Sequence, residues 1–562
     1  MPDSSVLVIE AGPYAPYEDR INIPGMKGST LGTKYDWNFT SIPQDALLGR
    51  TITQSRGKVL GGTSALNLLI WDRASKPEYD AWEQLGNPGW NWDNMIKAMN
   101  KAENFSNPGP PIYTGNTGYG VAGPINAVVD RYIPKQEDPW IPTLENLDVS
   151  FNSEWLDGEN VGVAYHSSAI DPTHYNRSYS AVEYLPLAGM NLDVLMETEV
   201  ARIDLASHQG RYKASGVTLL DGNTIRAKKE VILSGGTIKN PQLLELSGIG
   251  NADVLQAVGV EQLIDLPGVG ENLQDHPRCQ VVYQLKDGYT SLDKLRTGHP
   301  NYSAHQLALW EAGKYSQYDF ATSAYSYQNW SSFPDGVNKN LVKAAKQVTQ
   351  QMDNVVDNKK LEFLTNETLS PGIAQAEIIF SDGYFGSKGY PAEGSALYGK
   401  QFSTLIGGVM HPLARGTVHV NSSDPTVHPV YDPAFASNEY DFQALLAMMR
   451  WVRTIAHTSP FRDVWVSEYE PGLDVVPLTN NEAEWETYVR NNTNTFYHPV
   501  GTCAMLPKAD GGVVDPQLMV YGTSNLRIID ASVIPMLLSA HPQTGIYGIA
   551  ERAGEIIAGC WQ

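Results

Sequence analysis

Two kinds of apolar pattern run along this chain. Short unbroken runs, Ser5-Val6-Leu7-Val8-Ile9 and Val231-Ile232-Leu233, end in acid or glycine and predict buried parallel strands. Ala414-Arg415-Gly416-Thr417-Val418-His419-Val420 alternates instead, which predicts a half-buried antiparallel strand. Phe442, Leu445, Met449, Val452 and Ile455 recur at helical spacing, as do Ile546, Ile549, Ala553, Ile556 and Ile557, and each set predicts a helix with one buried face. Between them, residues 300–390 are rich in Tyr, Ser, Asn and Gln, a texture expected of irregular chamber walls.

The first strand ends in Glu10-Ala11-Gly12. An acid there takes ribose hydroxyls in a dinucleotide-binding βαβ unit, whose glycine-rich turn lies about 20 residues upstream. Met1-Pro2-Asp3-Ser4 is all that precedes the strand, so the acid stands without its turn. One G-x-G-x-x-G match exists, Gly118-Tyr119-Gly120-Val121-Ala122-Gly123, but it follows a Pro/Gly-rich stretch (Asn107-Pro108-Gly109-Pro110-Pro111) and precedes no amphipathic helix, so a loop is predicted. Three further glycine clusters remain: Arg56 to Asn67 with Gly57, Gly61 and Gly62; Ser234-Gly235-Gly236-Thr237 before a helical Asn240–Gly250; and Leu266 to Pro277. Glycine there lets backbone N–H groups approach a pyrophosphate or a flat ring.

These clusters are followed by Tyr497-His498-Pro499-Val500-Gly501-Thr502-Cys503-Ala504-Met505, Val513-Val514-Asp515-Pro516, Leu526-Arg527-Ile528-Ile529-Asp530-Ala531-Ser532 and His541-Pro542-Gln543-Thr544. In that order they resemble the glucose-methanol-choline (GMC) oxidoreductases from Ser5 to the C-terminus, and most of all the fungal branch holding glucose oxidase, glucose dehydrogenase, aryl-alcohol oxidase, versicolorin B synthase and patulin synthase. The resemblance implies an α/β Rossmann-like FAD-binding domain from residues 1–70, 178–280 and 498–562, and an α+β substrate domain with an antiparallel sheet from 71–177 and 281–497. It implies FAD as cofactor, with Glu10 at the adenosine ribose, Val200 at the adenine, Gly61, Gly62, Ser64 and Asn67 along the pyrophosphate and flavin ring, and Asp530 and Ala531 at the pyrimidine end. Val59-Leu60 stand where some members attach flavin through a histidine, so the flavin is expected to be non-covalent. Three explanations compete for the missing first strand and turn: an incomplete chain or wrong start codon, which is favoured, another surface filling the gap, or a member that has lost flavin.

Alcohol oxidation removes a hydroxyl proton and a carbinol hydride together, so it needs a base beside the hydride acceptor. Histidine suits that task, with an unperturbed pKa of about 6.5. Six of the twelve histidines precede proline, so His-Pro alone discriminates nothing. The resemblance implies His498 as base and His541 as hydrogen-bond partner of the substrate oxygen, and the other ten histidines are expected to be structural. Asn494 stands where glucose-oxidising relatives carry arginine, and Phe496-Tyr497 add aromatic surface, so a primary aryl or secondary-metabolite alcohol is expected over glucose. Asn240 and Ala414 replace hydroxyl residues of their motifs with no assigned consequence. Non-redox relatives, lyases and a cyclising synthase, and a flavin-deficient inactive homologue stand as alternatives.

Composition narrows the partners. A formal net charge of −22 argues against nucleic acid and anionic membrane surfaces, leaving a small alcohol and an electron acceptor, oxygen or quinone-like. Cys279, Cys503 and Cys560 lack metal-ligand spacing, which argues against structural zinc, and no metal site is read. Eight N-x-S/T sequons, from Asn38 to Asn491, favour a secretory route.

Overall fold

The computed structural model describes residues 4–107, 117–297, 299–321, 324–479 and 481–560. The two apolar runs are parallel strands: Val6–Ile9 pairs with Leu192–Leu195, and Val231–Leu233 with Leu526–Ile528. Lys229 Nζ donates to Ser4 Oγ at 2.6 Å, tying the starts of the two pairs together. Among the described residues no strand joins them, and Val6 (44%), Leu7 (42%) and Ile232 (44%) stay exposed although their runs are apolar. The C-terminal helix Gln543–Cys560 buries Ile549, Ala553 and Ile557 against the helix Trp92–Ala102. These two helices share a core with Leu233, Leu244, Val500 and Ile528, so the Trp92 helix packs with the parallel-strand elements.

The other large unit is a seven-stranded sheet running Trp465–Glu470, Pro277–Leu285, Phe402–Val409, Ala376–Asp382, Ala324–Gln328, Gly162–Tyr165, with the short strand Asn494–Thr495 also on Pro277–Leu285. All its pairings are antiparallel. Alternation sorts its two faces. Cys279, Val281, Tyr283 and Leu285 enter one core with Leu445, Met448, Met449, Val452 and Ile455 of the helix Glu439–His457. His276, Arg278 and Gln280 therefore take the opposite face. Adjacent glycines mark the same division: a Cβ at Gly407 would stand 2.3 Å from Met448 of the helix, and one at Gly408 would stand 1.8 Å from Phe496 on the far side. Across that far face the register lines up Asn494, Arg278, Gly408, Glu377 and Tyr327 in one row.

Three expectations meet the structure here. Gly118–Gly123 is a loop, and its glycines serve close packing: a Cβ at Gly120 would lie 2.0 Å from Asn100 O. Residues 108–111 of the stretch before it lie outside the described residues. Thr417–His419 is a strand, antiparallel to Val430–Asp432, with Val418 buried between two half-buried neighbours. Residues 300–390, however, are not irregular, since they hold the helices Pro300–Glu311, Val337–Met352 and Val355–Thr365 and two strands of the large sheet. Their polar composition is an outer face: Leu341, Ala344, Ala345 and Val348 recur at helical spacing inside it.

Gly408→Ala is expected to push the Phe496 ring off the sheet and lower stability by about 1–3 kcal/mol, as overpacking does. Chemical denaturation of Gly408→Ala, Phe496→Ala and the double variant checks this: the double variant should lose less than the sum of the singles, and strict additivity would refute the contact.

Candidate active site

The row on the sheet is the floor over which two histidines meet. His541 and His498 stand with ring centroids 4.8 Å apart and planes at 84°. His498 is fixed from its backbone. Its N–H donates to Asp275 Oδ1 (2.9 Å), while Thr495 Oγ1 donates to Asp275 Oδ2 (2.6 Å) and accepts from Tyr497 N–H (2.6 Å). Tyr497 takes a left-handed φ of 65°, unusual for a bulky residue, and its carbonyl is held by Arg56. Thus Asp275 and Arg56 lock the turn that aims the imidazole. Phe496 stacks on His498, 5.7 Å between centroids and 8° between planes. On the other side His276 Nδ1 lies 3.0 Å from His498 Nδ1.

His541 sits in a different electrostatic setting. Its N–H donates to Asp72 Oδ1 (3.0 Å) and its Nδ1 lies 2.9 Å from Asp72 Oδ2, with Glu377 Oε1 at 3.6 Å. Tyr327 OH donates to the same Asp72 oxygen at 2.7 Å. Burial pushes the His541 imidazole toward neutrality, yet the Glu377 and Asp72 carboxylates outweigh it and raise its pKa to about 9. Burial also opposes ionisation of Asp72, but the facing His541 and His166 hold its carboxyl well below the usual range. For Glu377, burial and the neighbouring Asp72 charge outweigh His541 and Tyr327, and its pKa is pushed up to about 7. His498 goes the other way, far below 6.5, because burial and the positive His541 both oppose a charge on it. One neutral and one charged imidazole therefore face a common space. The ligand atoms of Asp72, Glu377 and His541 lie within 4.8 Å of one another, a spacing that could also hold a metal ion; the proton shared along Asp72–His541 accounts for it as an ion pair.

The residues expected to hold a cofactor form a connected lining. Gly12 N–H donates to Glu10 Oε1 at 2.7 Å, and Thr198 N–H donates to Glu10 O at 2.9 Å, which brings Val200 to the end of the first strand. Burial raises the Glu10 pKa against the opposing Gly12 N–H and Lys58. Backbone meets backbone twice here: a Cβ at Gly12 would lie 2.1 Å from Lys58 O, and one at Gly57 2.2 Å from Gly62 C. Gly61 (φ 101°) and Gly62 (φ 54°) are left-handed, and a Cβ at Gly62 would meet nothing within 4 Å, so this backbone fronts open space. Ser64 Oγ donates to Gly61 O (2.6 Å), and Asn67 Oδ1 accepts from Arg177 Nη1 (2.6 Å) while its amide meets Gln543 at the start of the C-terminal helix. Buried and unpartnered, Tyr179 OH and Thr544 Oγ1 border the same segment and helix start. An open glycine cradle, an acid at its far end and orphaned hydroxyls beside a helix N-terminus fit FAD.

Asp530 has a supporting part. Its Oδ1 accepts from Ser532 N–H and Oγ, and its Oδ2 from Gly236 N–H and Asn240 Nδ2 at 2.7 Å each. Asn240, given no consequence from sequence, also accepts from Gly235 N–H and so ties the second glycine turn to the Asp530-Ala531 turn. Sequence reading also missed Asp72, Glu377, Asp275, Arg278 and Tyr327, and it took His276 for a structural histidine. Glu377 had a signal: a lone acid inside the apolar run Ala376-Glu377-Ile378-Ile379-Phe380. Asp72 had none.

A group whose folded pKa is raised stabilises fully below its unfolded pKa and loses that contribution as pH climbs through the folded value. For His541 that window runs from 6.5 to about 9. The stability gap between wild type and Asp72→Asn, taken from denaturation midpoints at stepped pH, should narrow across that window; a gap constant with pH would mean His541 carries no charge.

Models of the GMC oxidoreductase N- and C-terminal regions match residues 26–278 and 412–550. The chain is 31% identical to pyranose dehydrogenase 3 of Leucoagaricus meleagris, over 99% of this chain and 89% of that one. Among solved structures it resembles an FAD-dependent oxidoreductase from Chaetomium thermophilum (TM-score 0.88, 28% identity, 99% and 95% of the two chains) and a fungal aryl-alcohol oxidase (TM-score 0.81, 26% identity, 100% and 95%). With both family regions matched and the FAD-binding fold shared along the whole chain, this protein belongs to the GMC oxidoreductases.

Proposed function

We propose that this chain oxidises a primary alcohol, aryl or similarly flat, with His498 as the base and His541 as the donor that holds the substrate oxygen. The observation that carries the reading is the perpendicular pair 4.8 Å apart with opposed protonation. FAD, when bound, supplies the hydride acceptor. Glu10, Val200, Gly61, Gly62, Ser64, Asn67 and the Asp530-Ala531 turn would hold it. Attachment would be non-covalent, since the buried Val59 and Leu60 before the glycines offer no nucleophile.

His498 can take a proton only at the nitrogen that His276 leaves free. Nδ1 is engaged at 3.0 Å, so the acceptor is Nε2, and the proton between the two rings must ride on His498 Nδ1. His541, charged and oriented by Asp72, donates to the hydroxyl oxygen and favours its ionisation. Phe496, Ile379, Ile406, Met410, Tyr325 and Tyr327 make the wall apolar and aromatic, which favours a ring over a sugar. Oxygen or a quinone-like compound would accept the electrons.

His498→Ala should slow flavin reduction by alcohol at least 10²-fold without releasing FAD, and His541→Ala should slow it less. Stopped-flow reduction of FAD-loaded protein reads this; an unchanged rate in His498→Ala would remove the base. In a panel of benzylic alcohols, aliphatic alcohols and sugars, kcat/KM should be highest for a benzylic alcohol. Preference for glucose would overturn the substrate, and activity with none would favour a non-redox member of the family.

A further inference from the structure

Arg278 stands on the same row of the sheet as Glu377, two residues along from His276, and the mechanism above does not use it. It is 6% exposed. Its Nε donates to Thr495 O (2.8 Å), its Nη1 to Gln280 Oε1 (2.9 Å), and its guanidinium lies 4.7 Å from the centre of the Phe385 ring, with the Tyr497 phenol nearby. The partners in contact are neutral; the Asp275 carboxylate also acts on the guanidinium but forms no ion pair with it among the described residues. Arg73, Arg131, Arg415, Arg453 and Arg527 each meet a carboxylate, whereas Arg278 forms no ion pair among the described residues. Arg177 also lacks a carboxylate, but four bonds to Ile21 O, Ser64 O and both oxygens of Asn67 satisfy it. Among the described residues the Nη2 group of Arg278 donates to no main-chain carbonyl.

A buried cation with no carboxylate in contact is costly unless something completes its shell. Glu377 is the nearest acid along the row, but Gly408 lies between them and the Phe496 ring covers Gly408, so two strand spacings, about 10 Å, and an aromatic wall separate the pair. Asn494, directly opposite Arg278 in the ladder, is neutral as well. The cation faces the side of the sheet that carries the histidines, one same-face step, roughly 7 Å, from His276.

We propose that Arg278 is a specificity residue that binds a carboxylate on the substrate, so that the preferred alcohol is an aromatic hydroxymethyl acid with its carboxylate across the ring from the carbinol. This rests on the alcohol-oxidising reading of the same site. The carboxylate accepts from the guanidinium, the substrate ring passes over the Phe496 ring that stands between Arg278 and the Glu377–His541 side, and the hydroxyl reaches His498 and His541. Charge-assisted bonds of this kind are about twice as strong as neutral ones, and the fork of arginine fits them better than lysine does.

The test compares kcat/KM for 4-(hydroxymethyl)benzoate and benzyl alcohol in FAD-loaded wild type, Arg278→Gln and Arg278→Lys, and separately titrates benzoate calorimetrically into each. Wild type should favour the acid at least tenfold, Arg278→Gln should lose that preference, and Arg278→Lys should recover part of it. Benzoate should bind wild type at least tenfold more tightly than Arg278→Gln. Oxidation of benzyl alcohol with no preference for the acid would overturn this inference alone. Oxidation of neither would overturn the alcohol reading, and the benzoate titration would still decide Arg278: equal affinity in wild type and Arg278→Gln refutes it. If Arg278→Gln does not fold, the wild-type ratio and the Arg278→Lys variant decide between these outcomes.

Discussion

The buried contact between Asp72 and His541 sets the state of everything around it. Two imidazoles, His276 and His498, share an apolar pocket with His541, and burial alone would leave all three neutral. Glu377 and Asp72 together single out one. Asp72 holds His541 by backbone and ring at once, so its charge and its geometry act on the same residue. The imidazolium this creates then works against a charge on its neighbours, and His498 is left neutral. Removing the acid would cost orientation and polarity together.

The antiparallel sheet is what makes this arrangement possible. Its alternation sends Cys279, Val281 and Tyr283 into a helix-backed core, and it sends Arg278, Glu377 and Tyr327 to the side where His498 and His541 meet. Gly407 and Gly408, adjacent in sequence, serve opposite faces: one admits Met448 and the other admits Phe496. Without the second, the aromatic wall that stacks on His498 could not lie flat on the sheet. Charge is thereby partitioned on that face, with cationic Arg278 on one side of the ring and the Asp72, Glu377 and His541 cluster on the other.

Local pattern made part of this legible. Apolar runs, alternation and helical spacing marked the strands at 6–9, 231–233 and 417–419 and the helices at 439–457 and 543–560. His498 and His541, which the structure brings together, each lie in a local motif. Residues whose role comes from pairing across distant segments were not legible: Asp72 and His541 are 469 positions apart, and His276 and His498 are 222 apart. Composition misled over 300–390, where polar outer faces of helices read as irregular chain. Asn240 gained meaning only once Gly235 and Asp530 stood beside it.

The central claim is that the two histidines hold opposite protonation states, and nitrogen-15 chemical shifts of their rings read it directly. At pH 7.5 His541 should show both nitrogens protonated, titrating near 9, while His498 should show a single proton, on Nδ1, and stay neutral well below pH 6.5. A neutral His541 at that pH, or a proton on His498 Nε2, would contradict the account.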